Sequence, residues 1–131
     1  MTTFTIGELS KATGTKVPTI RFYEGIGLLP EVPRTESNRR IYNEEVLKRL
    51  RFIRHARELG FELEAIRTML AMQEQPEASC ENVDALARTH LGEVESRIHR
   101  LTAMKEELER MISQHSHGSV ADCRIIETLA N

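Results

Sequence analysis

Tryptophan is absent from this chain of 131 residues, and aromatic residues make up only 5% of it. With so few large rings, one bulky core spanning the whole chain is not expected; a small domain with an extension is. Cysteine is nearly absent too, with only Cys80 and Cys123, so a secreted fold stapled by several disulfides is excluded. No apolar run approaches the roughly 18 residues of a membrane span, and Met1–Phe4 does not read as the start of a signal peptide. The expectation is a cytoplasmic protein whose thiols are reduced or hold a metal. Neither a nucleophile–base pair nor a phosphate-cradling glycine loop stands out, so an enzyme is the least expected reading.

What is present is unevenly spread. The net charge is −2, yet eleven Lys+Arg stand against six Asp+Glu up to Arg57, and seven against fourteen from Glu58 onward. The N-terminal part is built to meet an anion, and the rest to do something else. Apolar residues at 40% exclude disorder, and charged residues at 29% suit long surface helices.

Helical spacing dominates. Ile6, Leu9 and Ala12 recur at helical intervals behind a capping Thr5, and Gly14 ends the segment. A second short helix runs from about Val17 to Tyr23, with Pro18 in its first turn. Two short helices joined through a glycine predict a helix-turn-helix, whose second helix enters the major groove of double-stranded DNA. Thr19, Arg21 and Tyr23 are the side chains expected to face DNA, with Ile20 and Phe22 partly buried. In LLPEVPRTESNRRIYNEE, two prolines break helix and Ser37-Asn38 marks a turn. A two-stranded basic wing follows, with Arg34, Arg39 and Arg40 ready to fork onto phosphate and Tyr42 adding a hydroxyl. Two further helices are predicted over about Glu44–Leu59 and Glu62–Met72, separated at Gly60. His55 reads as a residue near phosphate or in packing, not a ligand.

The segments IGELSKATG, TIRFYEGIGLL, RTESNRRIY and FIRHARELGFELEAI resemble the DNA-binding domain of the MerR family of transcription regulators. The resemblance covers about half of the chain. It implies a dimer that binds an imperfect palindrome between two promoter elements and works with RNA polymerase there. Arg21 and Tyr23 match the family's recognition-helix residues, and Arg34, Arg40 and Tyr42 its wing. Many members carry glycine then an aromatic where this chain has Asn38 and Arg39. Asn38 tolerates positive φ, so the turn is expected to survive with a charge at its tip.

From Glu81 to Gln114 there is no proline, and Gly92 is the only glycine. Ala87, Leu91, Val94, Ile98, Leu101, Lys105, Leu108 and Ile112 are spaced alternately by four and three, a heptad seam interrupted at Lys105. A stripe this long on so small a chain predicts a homodimer, and the resemblance implies that the two helices run antiparallel. The fold class expected is therefore mainly α. Residues 1–75 form a winged helix-turn-helix domain, 76–114 a linker and coiled-coil dimerisation helix, and 115–131 a metal-binding loop with a short last helix.

QHSHGSVADC, Gln114–Cys123, holds the remaining chemistry. His115, His117 and Cys123 with Cys80 make two thiolates and two imidazoles, a donor set that suits tetrahedral Zn(II). Co(II), Ni(II) and Cd(II) are the alternatives. The loss of one thiolate relative to all-sulfur sites disfavours the softest ions. In the family's metal-sensing branch a loop after the dimer helix carries two cysteines, matched here by His115 and Cys123. A cysteine before that helix goes with divalent ions, which is the place of Cys80. Zinc-responsive members also use a loop histidine, and His117 is the match. Asp122 is a further oxygen donor or a partner orienting a histidine; His90 and His99 read as surface or packing residues. Val120, Ile125, Ile126 and Leu129 are expected to cover the site. Two rival signals suit the same fold: a thiol switch through Cys80 and Cys123, and an organic ligand.

Overall fold

The computed structural model describes residues 2–114, 118–120 and 123–131. Two compact units divide the chain, Met1–Ser79 and Cys80–Asn131.

The first unit begins with strand β1 (Thr3–Phe4), which pairs antiparallel with β2 (Tyr42–Asn43), Thr3 opposite Asn43 and Phe4 opposite Tyr42. Helix α1 (Ile6–Thr13) opens with a capping box. The Thr5 hydroxyl accepts from the Glu8 amide at 3.2 Å, and the Glu8 carboxylate accepts from the Thr5 amide at 2.9 Å. Those Thr5 contacts hold the Glu8 carboxyl below its ordinary range. At the other end Gly14 takes φ 69°, and its amide closes on the Ser10 carbonyl at 2.8 Å. Helix α2 (Val17–Gly25) follows with Pro18 in its first turn.

Helix α3 (Glu44–Glu58) is capped by Asn43, whose side chain accepts from the Val46 amide at 3.0 Å. A glycine turn at Gly60, φ 89°, separates it from α4 (Leu63–Gln73). The core is one cluster: Leu9, Ile20, Tyr23, Leu28, Leu29, Tyr42, Val46, Leu47, Leu50, Ile53, Ala56, Ile66 and Leu70. Three arginines from α3 and α4 finish this unit by covering carbonyls left open where α1 and α2 end. Arg54 donates to the Thr13 carbonyl, Arg67 to Ile26 at 2.6 Å and Arg49 to Leu28 at 2.7 Å.

Gly14 has two reasons to be glycine. Its φ is left-handed, and a Cβ there would strike the Arg54 guanidinium. Gly14→Ala is expected to cost about 2 kcal/mol, combining left-handed strain with displacement of Arg54. A urea titration of both chains gives the value.

The second unit is helix α5 (Glu81–Ser113) and the short α6 (Arg124–Ala130). Met111 is buried, and α6 packs on α5. Along the expected seam Val94 is half-buried, while Leu91, Ile98, Leu101, Leu108 and Ile112 are all more than half exposed, and Met104 joins them. Met104 lies three residues after Leu101 and four before Leu108. It therefore carries the seam past Lys105, where an interruption was expected.

Candidate functional site

Helix α2 and the loop 30–41 converge on one basic cleft. The loop is a narrow hairpin. Arg34 and Arg40 bridge antiparallel, the Thr35 amide reaches the Arg39 carbonyl at 2.7 Å, and the Asn38 amide reaches the Thr35 carbonyl at 2.8 Å. Asn38 takes φ 64° at the tip, the left-handed turn expected of it. A cleft of about 420 Å³ is lined by Thr5, Ile6, Arg21, Arg34, Asn38, Arg39 and Arg40. Arg21 from the helix and Arg34, Arg39 and Arg40 from the hairpin therefore share one cleft.

The partly buried carboxylate of Glu24 ties these two elements together. It accepts from the Tyr42 hydroxyl at 2.8 Å and pairs with Arg40 at 3.6 Å. Sequence reasoning missed it, because Glu24 pairs with residues 16 and 18 positions away, one on the hairpin loop and one on β2. The Glu in RFYE was nevertheless a signal, being an acid on a helix expected to meet an anion. Its partner Tyr42 is also placed differently than expected. The ring is fully buried, and its hydroxyl is committed to Glu24 rather than displayed on the hairpin. Burial first, then the Glu24 hydrogen bond, push the Tyr42 phenol up to about 12. Because this folded value lies above the unfolded one near 10, the contribution is fully present below pH 10 and is lost as pH rises towards 12. Tyr42→Phe is expected to remove that alkaline fall in stability, read as the thermal midpoint between pH 9 and 12.

The outward face of α2 also needs correction. Tyr23 is buried and Phe22 is 52% exposed, the reverse of the expected arrangement. Thr19, Arg21 and Tyr23 are spaced by two, which gathers side chains on a strand and scatters them around a helix. On α2 the residues turned away from the core are Pro18, Arg21, Phe22 and Gly25, while Ile20 and Tyr23 face inward and Thr19 is half-buried. Thr19 and Tyr23 line a separate cleft with Lys16, Arg54 and Arg57. His55 is exposed.

The expected metal ligands divide into two groups. His115 and His117, with Asp122, lie outside the described residues. Cys80 is exposed at the N-cap of α5, with no side-chain capping bond, and Cys123 is half-buried at the N-cap of α6. Among the described residues, no three His, Cys, Asp or Glu side chains gather to hold an ion. Nor do Val120, Ile126 and Leu129 form a lid in the single chain, since each is at least half exposed.

Chain length explains why the two cysteines stand apart. Thirty-four steps along α5 from Cys80 to Gln114 span about 50 Å at 1.5 Å per residue. The nine residues from Gln114 to Cys123 reach back at most about 32 Å even fully extended. About 18 Å remains, against the roughly 7 Å that a disulfide tolerates. Within one chain, Cys80 and Cys123 can neither pair nor share an ion.

Comparison with known proteins fits this architecture. The MerR HTH family regulatory protein profile matches residues 4–73, and a MerR DNA-binding profile matches residues 47–111. The chain belongs to the MerR family. MerR proteins are helix-turn-helix DNA-binding transcription regulators, not enzymes. The chain is 41% identical to the regulator ZntR of Escherichia coli (strain K12) over 130 residues, covering 96% of this chain and 92% of that one. It is 40% identical to the heavy metal-dependent transcription regulator 2 of Rhizobium meliloti (strain 1021), covering 96% and 86%. The crystal structure of the transcription regulator PbrR691 from Ralstonia metallidurans CH34, in complex with lead(II), superposes with a TM-score of 0.83. It is 38% identical, covering 96% of this chain and 98% of that one.

Proposed function

We propose that this MerR regulator is a homodimer that senses a divalent ion, Zn(II) first among them, and activates a promoter by distorting its DNA. The ligands assigned are Cys80 of one copy with His115, His117 and Cys123 of the other. The observation that carries this reading is the reach of α5, since the two thiols cannot meet within one chain. An antiparallel pair of α5 helices lays the start of one helix beside the end of the other, which brings Cys80 to the partner's last loop. The mostly exposed stripe from Leu91 to Ile112 supplies the driving force, each such side chain gaining on the order of 1 kcal/mol when covered. Relatives described as heavy metal-dependent, and one bound to lead, support a metal as the signal.

The residues present fit zinc. Two thiolates and two imidazoles make a tetrahedral set, and the Cys80 side chain is not committed to capping α5. The ion would supply a bond between copies that the protein alone lacks. The chain's own residues do the rest: Arg21 reads the groove, and Arg34, Arg39 and Arg40 grip phosphate on the flank. Thr19 faces the duplex from the side of α2. Glu24 and Tyr42 hold the hairpin at a set angle to α2, so that movement of one domain is passed to the DNA. Bending a site costs roughly 1–6 kcal/mol, and the ion shifts that balance only as far as it binds the activating dimer more tightly. RNA polymerase would then use the distorted promoter.

Arg21→Ala tests the DNA half. It is expected to weaken operator binding by roughly 10- to 100-fold without lowering thermal stability, because the side chain is exposed. Zinc affinity should not change. Unchanged DNA binding would remove α2 from the groove.

A further inference from the structure

Among the described residues of Met1–Ser79, the large apolar side chains left exposed are Phe22 at 52% and Leu59 at 67%. Leu59 caps α3 in the turn towards α4. Phe22 is placed differently. It lies on the outward face of α2, beside Arg21 and one turn after Pro18, with half of its surface open to solvent. One side of the ring leans on Tyr23, with centroids 6.0 Å apart and planes tilted by 51°. The other side is open. A polar residue there would keep the helix as stable and spare the water an apolar surface.

We infer that Phe22 reads thymine, its ring packing on the C5-methyl group of one thymine per half-site. This rests on the reading that α2 lies in the major groove. Base edges there display hydrogen-bond donors and acceptors, and the thymine methyl is the groove's apolar feature. A phenyl ring has nothing to offer a donor or an acceptor. Set against cytosine, it would strip water from the N4 amino group and leave that donor unsatisfied. Set against thymine, it buries a methyl group together with its own exposed face. Phe22 therefore both favours thymine and penalises cytosine at one position, while Arg21 beside it supplies the polar contact. On the outward face of α2 Arg21 is charged and Gly25 has no side chain, so Phe22 is the largest apolar surface there, with the smaller Pro18 ring one turn away.

The test uses the full chain and a duplex selected by it from a random-sequence library. That duplex is resynthesised with each thymine in turn replaced by deoxyuridine, which deletes only the methyl group. Binding of the unaltered protein is expected to weaken about fourfold at one thymine per half-site, the worth of one buried methyl-sized group. Phe22→Ala should bind more weakly overall and lose that sensitivity, with its thermal midpoint unchanged. Arg21→Ala should bind weakly but retain the sensitivity. The inference is overturned if no thymine responds, if the selected half-site holds no thymine, or if Phe22→Ala responds as the unaltered chain does. A different result, no duplex enriched or Arg21→Ala binding at full strength, would remove α2 from the groove and take the thymine contact with it.

Discussion

Mixing Cys80→Ser chains with Cys123→Ser chains is expected to restore zinc binding that neither variant shows alone. Each variant by itself lacks one thiolate in both sites of its dimer. Losing an outer partner of a metal ligand costs 10- to 100-fold in affinity, so losing the ligand itself should cost at least about a hundredfold. If the chains are unfolded and refolded together, about half of the dimers are mixed, assuming random pairing. In a mixed dimer one site draws Cys80 from the Cys123→Ser chain and Cys123 from the Cys80→Ser chain, and is whole; the other lacks both. Roughly a quarter of the unaltered capacity should return, as expected of a symmetric dimer with two shared sites. A site contained in one chain would stay broken whatever the mixture, and the reach of α5 already argues against it. Zinc held at full strength by either variant alone would mean that its missing thiol is not a ligand.

Ile98→Asp combined with Leu101→Asp is expected to turn the dimer into a helical monomer. Both side chains are more than half exposed in the single chain, so the exchange should not unfold it, and circular dichroism would report unchanged helix. In the proposed dimer the same positions are covered. A carboxylate there must leave water without a partner, at a cost of several kcal/mol. Ile98 also lies next to the middle of α5, where an antiparallel pair brings the two copies of a residue closest, so like charges add to the penalty. About 4 kcal/mol is a thousandfold in the dimer constant, enough for sedimentation to show a monomer at micromolar concentration. DNA and zinc affinity should fall with it, since the half-sites and the two halves of each metal site are no longer held together. A variant that stayed dimeric would mean that the stripe serves some other surface.

The parts of the fold that were legible are those whose signals are local. Helix α5 was expected over Glu81–Gln114 and spans Glu81–Ser113; α3 differs from expectation by one residue at its end, and α4 is shifted by one residue at both ends. Gly14, Asn38 and Gly60 mark left-handed turns because sterics leave few residues able to make them. What was not legible depends on pairing across distance. Strand β1 is two residues long and meets its partner 40 residues later, too short for any periodicity. Tyr42 reads as a wing residue by position along the chain. Only the pairing of β2 with β1 and the reach of Glu24 turn it into the core. The reversal of Phe22 and Tyr23 came from applying strand spacing to a helix. Cys80, His115, His117 and Cys123 stand out by residue type alone. The proposed sharing of each site between two chains rests on the length of α5 and on the antiparallel pairing that the family resemblance implies, and both were already legible in the sequence.

The most direct test of the metal-sensing account is a zinc titration of the fully reduced, metal-free chain against a competing chelator, with Cys80→Ser, Cys123→Ser and the double variant beside it. The account predicts that the unaltered dimer strips zinc from the chelator and that all three variants fail to. If the unaltered chain holds zinc no more tightly than the double variant does, the two thiols are not a metal site and the signal this regulator answers is not zinc.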